Sequence, residues 1–431
     1  MKITFVHIVE QIQFEPQTAL LSAVVRAMGH EPSRVPTDFG TKQEILTGAL
    51  MAQAPDLLAV RVTGEMREAV CWSLAELRKS CPDLPILLYG PLAEDAPEEL
   101  SGICDPAFLL SDETEQAMVS FLSQGALPKS LEDYDPPSGV GVAASGELRW
   151  GPALGFGDAS QAPPPDFQLF GGPSFFGRGT GCSFFGDVGT ALLEASIGSP
   201  SGMPANAGMR IFNYPTNKGP RSRPIAAVMA MIDDLPPDLS HIEFADREFG
   251  WMPEVEELLA GLAERANDRY FSIRQLPRTC SHDFLREAPK WGIKRVVFEY
   301  DAADAAAHAR LAGSQDPELL AASIRLAKSV GLSVGLLVSV GLPGESRAEI
   351  DRKLKFIRSQ EIDKLRFIPF EPRIGHPWRQ KCAEEGMLPV GDGAWNRETY
   401  TPLKQSVIDD ESWHMAWQDC LDLQARVALN S

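Results

Sequence analysis

An apolar strand enclosed by two helical repeats is the feature that most constrains this chain. Leu57-Leu-Ala-Val-Arg-Val62 has no polar alternation that would leave one face in water, as expected of a strand covered on both sides. Helical patterns flank it at Gln43–Ala52 and Arg67–Lys79. The same alternation runs from Ile3–Val9 through Thr18–Met28, which Gly29 closes, to Ile86–Tyr89. Over residues 1–125 this predicts a doubly wound parallel sheet of the flavodoxin or Rossmann type. Ligands of such sheets sit beyond the carboxyl ends of the strands. Those ends are His7–Gln11, Thr63-Gly64, Gly90-Pro91 and Ser111–Glu113.

From residue 126 to 165 the pattern decays into Pro, Gly and Ser, as in Tyr134-Asp-Pro-Pro-Ser-Gly, which reads as a linker wrapped along the surface. A second alternating region, residues 166–390, has strand candidates at His241–Ala245, Tyr270–Ile273, Arg295–Glu299, Ser333–Val340 and Leu365–Pro369. Asp316-Pro317-Glu318 has the form of an N-cap, a first-turn proline and an acidic first turn, with Gly331 closing that helix. Ser346 and Glu349 form a capping-box pattern ahead of Ile350, Leu354 and Ile357. Repeats of this length predict a partial (β/α)6 barrel of TIM type, with its chemistry at the carboxyl ends of the strands. Residues 391–431 form a small helical C-terminal segment, in which Trp413, Trp417 and Leu421 at i, i+4 and i+8 read as a docking face.

Charge and cysteine usage narrow the function. A formal charge of -19 with no Lys/Arg stripe opposes binding to phosphate backbones, so nucleic acid is excluded as a partner. No uninterrupted apolar run reaches the roughly 20 residues of a membrane helix, and the N-terminus runs straight into a strand pattern. A cytoplasmic protein acting on a small molecule is expected, of an oligomeric state the sequence leaves open. Seven scattered cysteines, an odd number without a Cys-x2-Cys pair, read as reduced thiols.

One glycine-rich stretch, Ser174-Phe-Phe-Gly-Arg178-Gly-Thr-Gly-Cys182-Ser-Phe-Phe185-Gly, has the shape of a loop that grips an iron–sulfur cluster. It resembles the Arg-Gly-Cys-x3-Cys-x-Phe-Cys loop that follows the first barrel strand in the radical S-adenosylmethionine (SAM) family. Cys182 fits the second cysteine, which puts Arg178 and Phe185 at the other two ligand positions, and neither supplies a thiolate.

Several further segments, in family order, resemble the cobalamin-binding radical SAM family. They include Met28-Gly-His-Glu31, Ala54-Pro-Asp-Leu57, Tyr89-Gly-Pro-Leu-Ala-Glu-Asp-Ala-Pro-Glu-Glu-Leu100, Asp112-Glu-Thr-Glu115, Phe298-Glu299-Tyr300, Gly341-Leu-Pro-Gly-Glu-Ser346 and Pro369-Phe-Glu-Pro-Arg-Ile-Gly-His-Pro377. The resemblance implies a cobalamin-binding first domain, with Gln11, Thr63, Gly64, Gly90, Pro91, Ser111 and Glu113 on the cofactor edge. Small residues there let a corrin approach the strand ends. Glu10-Gln-Ile-Gln-Phe-Glu stands where a histidine-donating domain would carry Asp-x-His-x-x-Gly, so the lower cobalt ligand is not histidine.

A degenerate cluster loop implies no 4Fe-4S cluster, no protein-ligated metal and no radical cleavage of SAM, although SAM itself stays open as a ligand. Arg178 is positioned to hold a carboxylate in bidentate fashion, or is a surface arginine. Glu299 accepts hydrogen bonds from a ribose, or pairs with Arg278 or Arg274. Asp246-Arg247-Glu248 brings charge to the barrel mouth, where buried carboxyls gain pKa values suited to acid–base work. Arg178, Asp246, Glu248 and Glu299 are therefore the catalytic candidates, with Tyr300 and His376 behind them. The expected function is cobalamin-dependent methyl transfer to a small molecule by polar chemistry, with a reductase for the cobalamin as a partner. The alternatives are a cyclisation or rearrangement and a cobalamin-binding sensor.

Overall fold

The computed structural model describes residues 1–7, 16–36, 43–63, 67–100, 106–111, 114–128, 130–155, 163–170, 184, 185, 187, 189–198, 200, 220–237, 239–300, 316–370, 377–388, 403 and 407–430. Its contacts divide the chain into two compact units, one mainly of residues 1–181 and the other mainly of residues 182–431.

The first unit alternates β1 (Lys2–His7), α1 (Pro16–Ala27), β2 (Glu31–Pro36), α2 (Gln43–Gln53), β3 (Leu57–Arg61), α3 (Arg67–Ser80), β4 (Ile86–Tyr89), α4 (Pro91–Asp95), β5 (Ala107–Leu110) and α5 (Thr114–Leu122). Strands β1 to β5 pair in parallel in the order β2-β1-β3-β4-β5. The apolar residues of β3 explain its central place: Leu57, Leu58, Ala59 and Val60 are all buried. The expected doubly wound sheet is present.

The segment read as a linker departs from that expectation. Val140–Ala144 (β6) and Glu147–Trp150 (β7) form a hairpin that extends the same sheet in antiparallel fashion beyond β5. Ser145 and Gly146 turn it, both at positive φ, as a tight hairpin turn requires. The surrounding prolines and glycines masked a five-residue strand that is buried throughout. Residues 163–170, of which 166–170 were expected to open the barrel region, instead pack on the first unit. Asp166 accepts from Arg26 at 2.6 Å, and its N–H donates to the Ala19 carbonyl at 2.9 Å.

The second unit holds β8 (Thr190–Leu193), β9 (Ser196–Ile197), β10 (Arg221–Ser222), α6 (Ile225–Asp233), β11 (His241–Phe244), α7 (Val255–Arg265), β12 (Tyr270–Gln275), α8 (His282–Glu287), β13 (Ile293–Tyr300), α9 (Pro317–Ser329), β14 (Ser333–Val340), α10 (Arg347–Arg358), β15 (Lys364–Pro369), α11 (Pro377–Glu384) and α12 (Asp410–Asn430). Six parallel strands run in the order β8-β11-β12-β13-β14-β15, the sheet of a half-barrel. The helix signals hold. The Asp316 side chain accepts from the Glu318 N–H at 2.9 Å, Ser346 and Glu349 form a reciprocal capping box, and Gly331 ends α9 at φ +82°.

Helix α12 covers the edge strand, where Gln424 Oε1 accepts the Phe367 N–H at 2.8 Å. Its inward face is Trp413, Ala416, Cys420 and Leu423, whereas Leu421 is 37% exposed. A strict i, i+4, i+8 row winds off the buried face, and mixed steps of three and four return to it.

Candidate functional site

Thr63, Gly90-Pro91 and Ser111 stand at the carboxyl ends of β3, β4 and β5, side by side along one sheet edge. Gln11, Gly64 and Glu113 lie outside the described residues, as do Arg178, Cys182 and His376. Gly90 sits at φ +103°, and a Cβ there would come within 2.9 Å of the Val62 carbonyl oxygen. The Val62 N–H donates to Tyr89 O at 2.8 Å, and Leu92 N–H donates to Val62 O at 3.2 Å. Two strand ends thus meet backbone to backbone, and this contact already demands glycine.

A polar network missed in the sequence lies at the same ends. Glu94 Oε1 accepts from Gln17 at 3.1 Å and from the Thr114 hydroxyl at 2.9 Å, and Arg61 Nε donates to Gln17 Oε1 at 3.4 Å. The available signal was Gln17-Thr18 in the first turn, directly ahead of the apolar Ala19-Leu20-Leu21. Thr63, Gly90, Pro91 and Ser111 themselves are small, the kind of side chain that would let a corrin approach this edge beside the polar network.

The carboxyl ends of the second sheet gather buried charge. Glu299, next to last in β13, receives Arg247 Nε at 2.8 Å on one oxygen and the Arg274 guanidinium on the other. Arg274 also donates to Ala245 O at 3.2 Å, and its guanidinium lies 4.7 Å above the Phe184 ring centroid. Burial alone would raise the Glu299 pKa, but the charges and hydrogen bonds of Arg247 and Arg274 outweigh it and hold the carboxyl below its ordinary range. Glu299 therefore pairs with Arg274, as one sequence reading had it, and with Arg247 in place of Arg278.

Asp246 behaves differently. Its two oxygens accept from the Ala195 N–H at 2.9 Å and the Ser196 hydroxyl at 2.5 Å, and burial drives its pKa up despite those bonds. Glu248 is equally buried beside it. Tyr300 is fully buried, its ring centroid 4.9 Å from that of Phe356 on α10.

Phe184 and Asp187 also bond to strand residues of this sheet. Phe184 N–H donates to Glu243 Oε2 at 3.2 Å, and its carbonyl accepts from Arg366 at 2.7 Å. Asp187 bridges Arg295 at 2.5 Å and Lys364 at 3.1 Å. His241, between Thr190 and Ser272 at 2.7 and 2.6 Å and stacked on Tyr270, is pushed down to about 4, chiefly by burial and then by Arg295, which makes it a neutral structural histidine.

The order of strands corrects the reading of the glycine-rich loop. The first strand of the half-barrel is Thr190–Leu193, so residues 174–186 precede it and do not follow it. The loop that follows runs from Glu194 to β10, and the sequence has no cysteine between Cys182 and Cys280. Residues 194–220 therefore supply no thiolate of the kind that holds the irons of a 4Fe-4S cluster.

No family model matches the chain, and no curated protein matches it in sequence. Solved structures do. The radical S-adenosylmethionine methyltransferase TsrM from Kitasatospora setae, with tryptophan substrate and the SAM analogue aza-SAM bound, has a TM-score of 0.73 at 13% identity, over 97% of this chain and 89% of that one. The fold is that of the cobalamin-dependent radical SAM enzymes. TsrM with cobalamin and a [4Fe-4S] cluster bound aligns equally well, at a TM-score of 0.73. The cobalamin-dependent SAM radical enzyme OxsB, with aqua-cobalamin and SAM bound, aligns at a TM-score of 0.66 and 13% identity, over 96% of this chain and 66% of that one. Among the described residues no helix is long and apolar enough to cross a membrane.

Proposed function

We propose that the chain is a cobalamin-dependent enzyme that transfers a methyl group to a small molecule by polar chemistry. The reading rests on one mismatch: the fold matches a cobalamin-binding methyltransferase over 97% of the chain, yet the loop after the first barrel strand has no thiolate. A bound cobalamin would supply a methyl group transferable as a cation to a nucleophilic atom of the acceptor. The residues of the chain then orient the acceptor, exclude water and take up its proton. Glu299, neutralised by two guanidiniums, is poorly suited to take that proton, and both Asp246 oxygens are committed to the chain. We assign the orientation of this mouth to the Arg247–Glu299–Arg274 triplet. SAM is the proposed source of the methyl group, and a reductase that keeps the cobalt active is the proposed partner.

Protein purified from cobalamin-fed cells tests the reading. A methylated product formed in air, with no 5′-deoxyadenosine released, is the expected result. Turnover that requires anaerobic reconstitution with iron and sulfide, and that releases deoxyadenosine, would overturn it.

A further inference from the structure

Among the described residues of the first unit, the three most exposed large apolar side chains gather on two neighbouring helices. They are Trp72 of α3, 59% exposed, and Ile45 and Met51 of α2, 62% and 63% exposed. The strand order β2-β1-β3-β4, joined by right-handed crossovers, puts α2 and α3 on the same face of the sheet. Gln43 Nε2 ties them by donating to Ser73 O at 3.2 Å. Between Ile45 and Met51, a Cβ added at Gly48 would meet nothing within 4 Å, so the surface there is open. Apolar side chains grouped on a surface in this way mark a contact with another molecule.

The outward row of α3 identifies that molecule. Val70, Cys71, Ser73, Leu74 and Leu77 are buried, whereas Glu68, Trp72, Ala75 and Lys79 are exposed. Steps of four, three and four keep these four residues on one narrow face of the helix. The row is balanced about its centre: Glu68 and Lys79 stand equally far from the midpoint between Ser73 and Leu74, and so do Trp72 and Ala75. A two-fold axis through that midpoint lays a second α3 antiparallel on the first. Glu68 then meets the second copy's lysine at each end of a seam about 16 Å long, and the Trp72 ring lies over a small alanine twice in the middle. Lys79 pairs with Glu76 of its own helix at 2.6 Å, a surface contact that costs little to exchange.

We propose that this row is the seam of a symmetric dimer, α3 against α3 of a second copy, with Ile45 and Met51 of α2 on its flank. It uses a face of the sheet and not the carboxyl ends of the strands, and so stands independently of the function proposed above.

Sedimentation velocity of the full chain from about 1 to 100 µM should show a monomer–dimer equilibrium, since a seam of two helices per copy is at the small end of interface sizes. Trp72→Ser removes the central anchor and should weaken association at least about tenfold. Glu68→Lys and Lys79→Glu each set like charges together at both ends, and each should weaken it about tenfold. The double variant Glu68→Lys/Lys79→Glu restores opposite charges at both ends, and so does an equimolar mixture of the two single variants. Both should associate within about threefold of the wild type. All these positions are exposed, and circular dichroism of each variant should match the wild type. A wild type that stays monomeric throughout would give the patch to a different protein and overturn the proposal. So would a dimer indifferent to Trp72→Ser, or charge variants that neither the double substitution nor mixing restores.

Discussion

Arg247 Nε lies 2.8 Å from Glu299 Oε2, a contact between the loop after β11 and the end of β13 with both side chains buried. Arg274 takes the other oxygen, so one carboxylate joins three neighbouring strand ends. Removing one member of a buried ion network leaves uncompensated charge. Glu299→Gln is expected to destabilise the protein by about 3–5 kcal/mol in denaturant unfolding. A loss below about 1 kcal/mol would mean that the guanidiniums reach solvent when the carboxylate is gone.

Asp246 carries a pH dependence of the opposite sign to Glu299. Burial raises its folded pKa, so its stabilising contribution is complete below the unfolded value and is lost as pH rises through the folded one. Asp246→Asn removes that titration. The melting temperature of Asp246→Asn relative to wild type should therefore be more favourable at pH 8 than at pH 5. A difference independent of pH would show that Asp246 is ionised throughout. For Glu299, whose folded pKa is lowered, stability is present above the unfolded value and lost as pH falls through the folded one.

Cobalt should approach one per chain in protein from cobalamin-fed cells, with iron near zero even after anaerobic reconstitution, because the loop after β8 has no thiolate. Cys182 precedes that strand, and Cys182→Ala should leave both metal contents unchanged. Stoichiometric iron and sulfide that vanish in this variant would contradict the assignment of the loop.

Electron paramagnetic resonance of the Co(II) form should lack nitrogen splitting from a histidine below the metal, since Asp-x-His-x-x-Gly is missing after β1. Such splitting would place a histidine of this chain under the cobalt.

Gly90→Ala puts a Cβ 2.9 Å from the Val62 carbonyl oxygen at φ +103°. Strain at such a position costs about 1–3 kcal/mol, and the ends of β3 and β4 must separate to relieve it. Cobalamin affinity should fall together with stability. Full cobalamin binding in a destabilised variant would detach this strand junction from the cofactor edge.

Sequence by itself determined the elements whose signals are local. The apolar run at Leu57 and the caps at Asp316 and Ser346 fixed strands and helices, because periodicity and capping act within a few residues. It also brought Asp246, Glu248 and Glu299 to strand ends, since a parallel sheet puts every strand's carboxyl end on one side. Only the tertiary structure decided which loop follows the first barrel strand, because Thr190–Leu193 is a four-residue strand with too little pattern to outweigh the glycine-rich stretch before it. It alone decided the partners of the charges as well. Glu299 pairs with residues 52 and 25 positions away, and Asp246 with one 50 positions away. Such pairings depend on which strands lie side by side and in what register, and a chain's local pattern does not encode that.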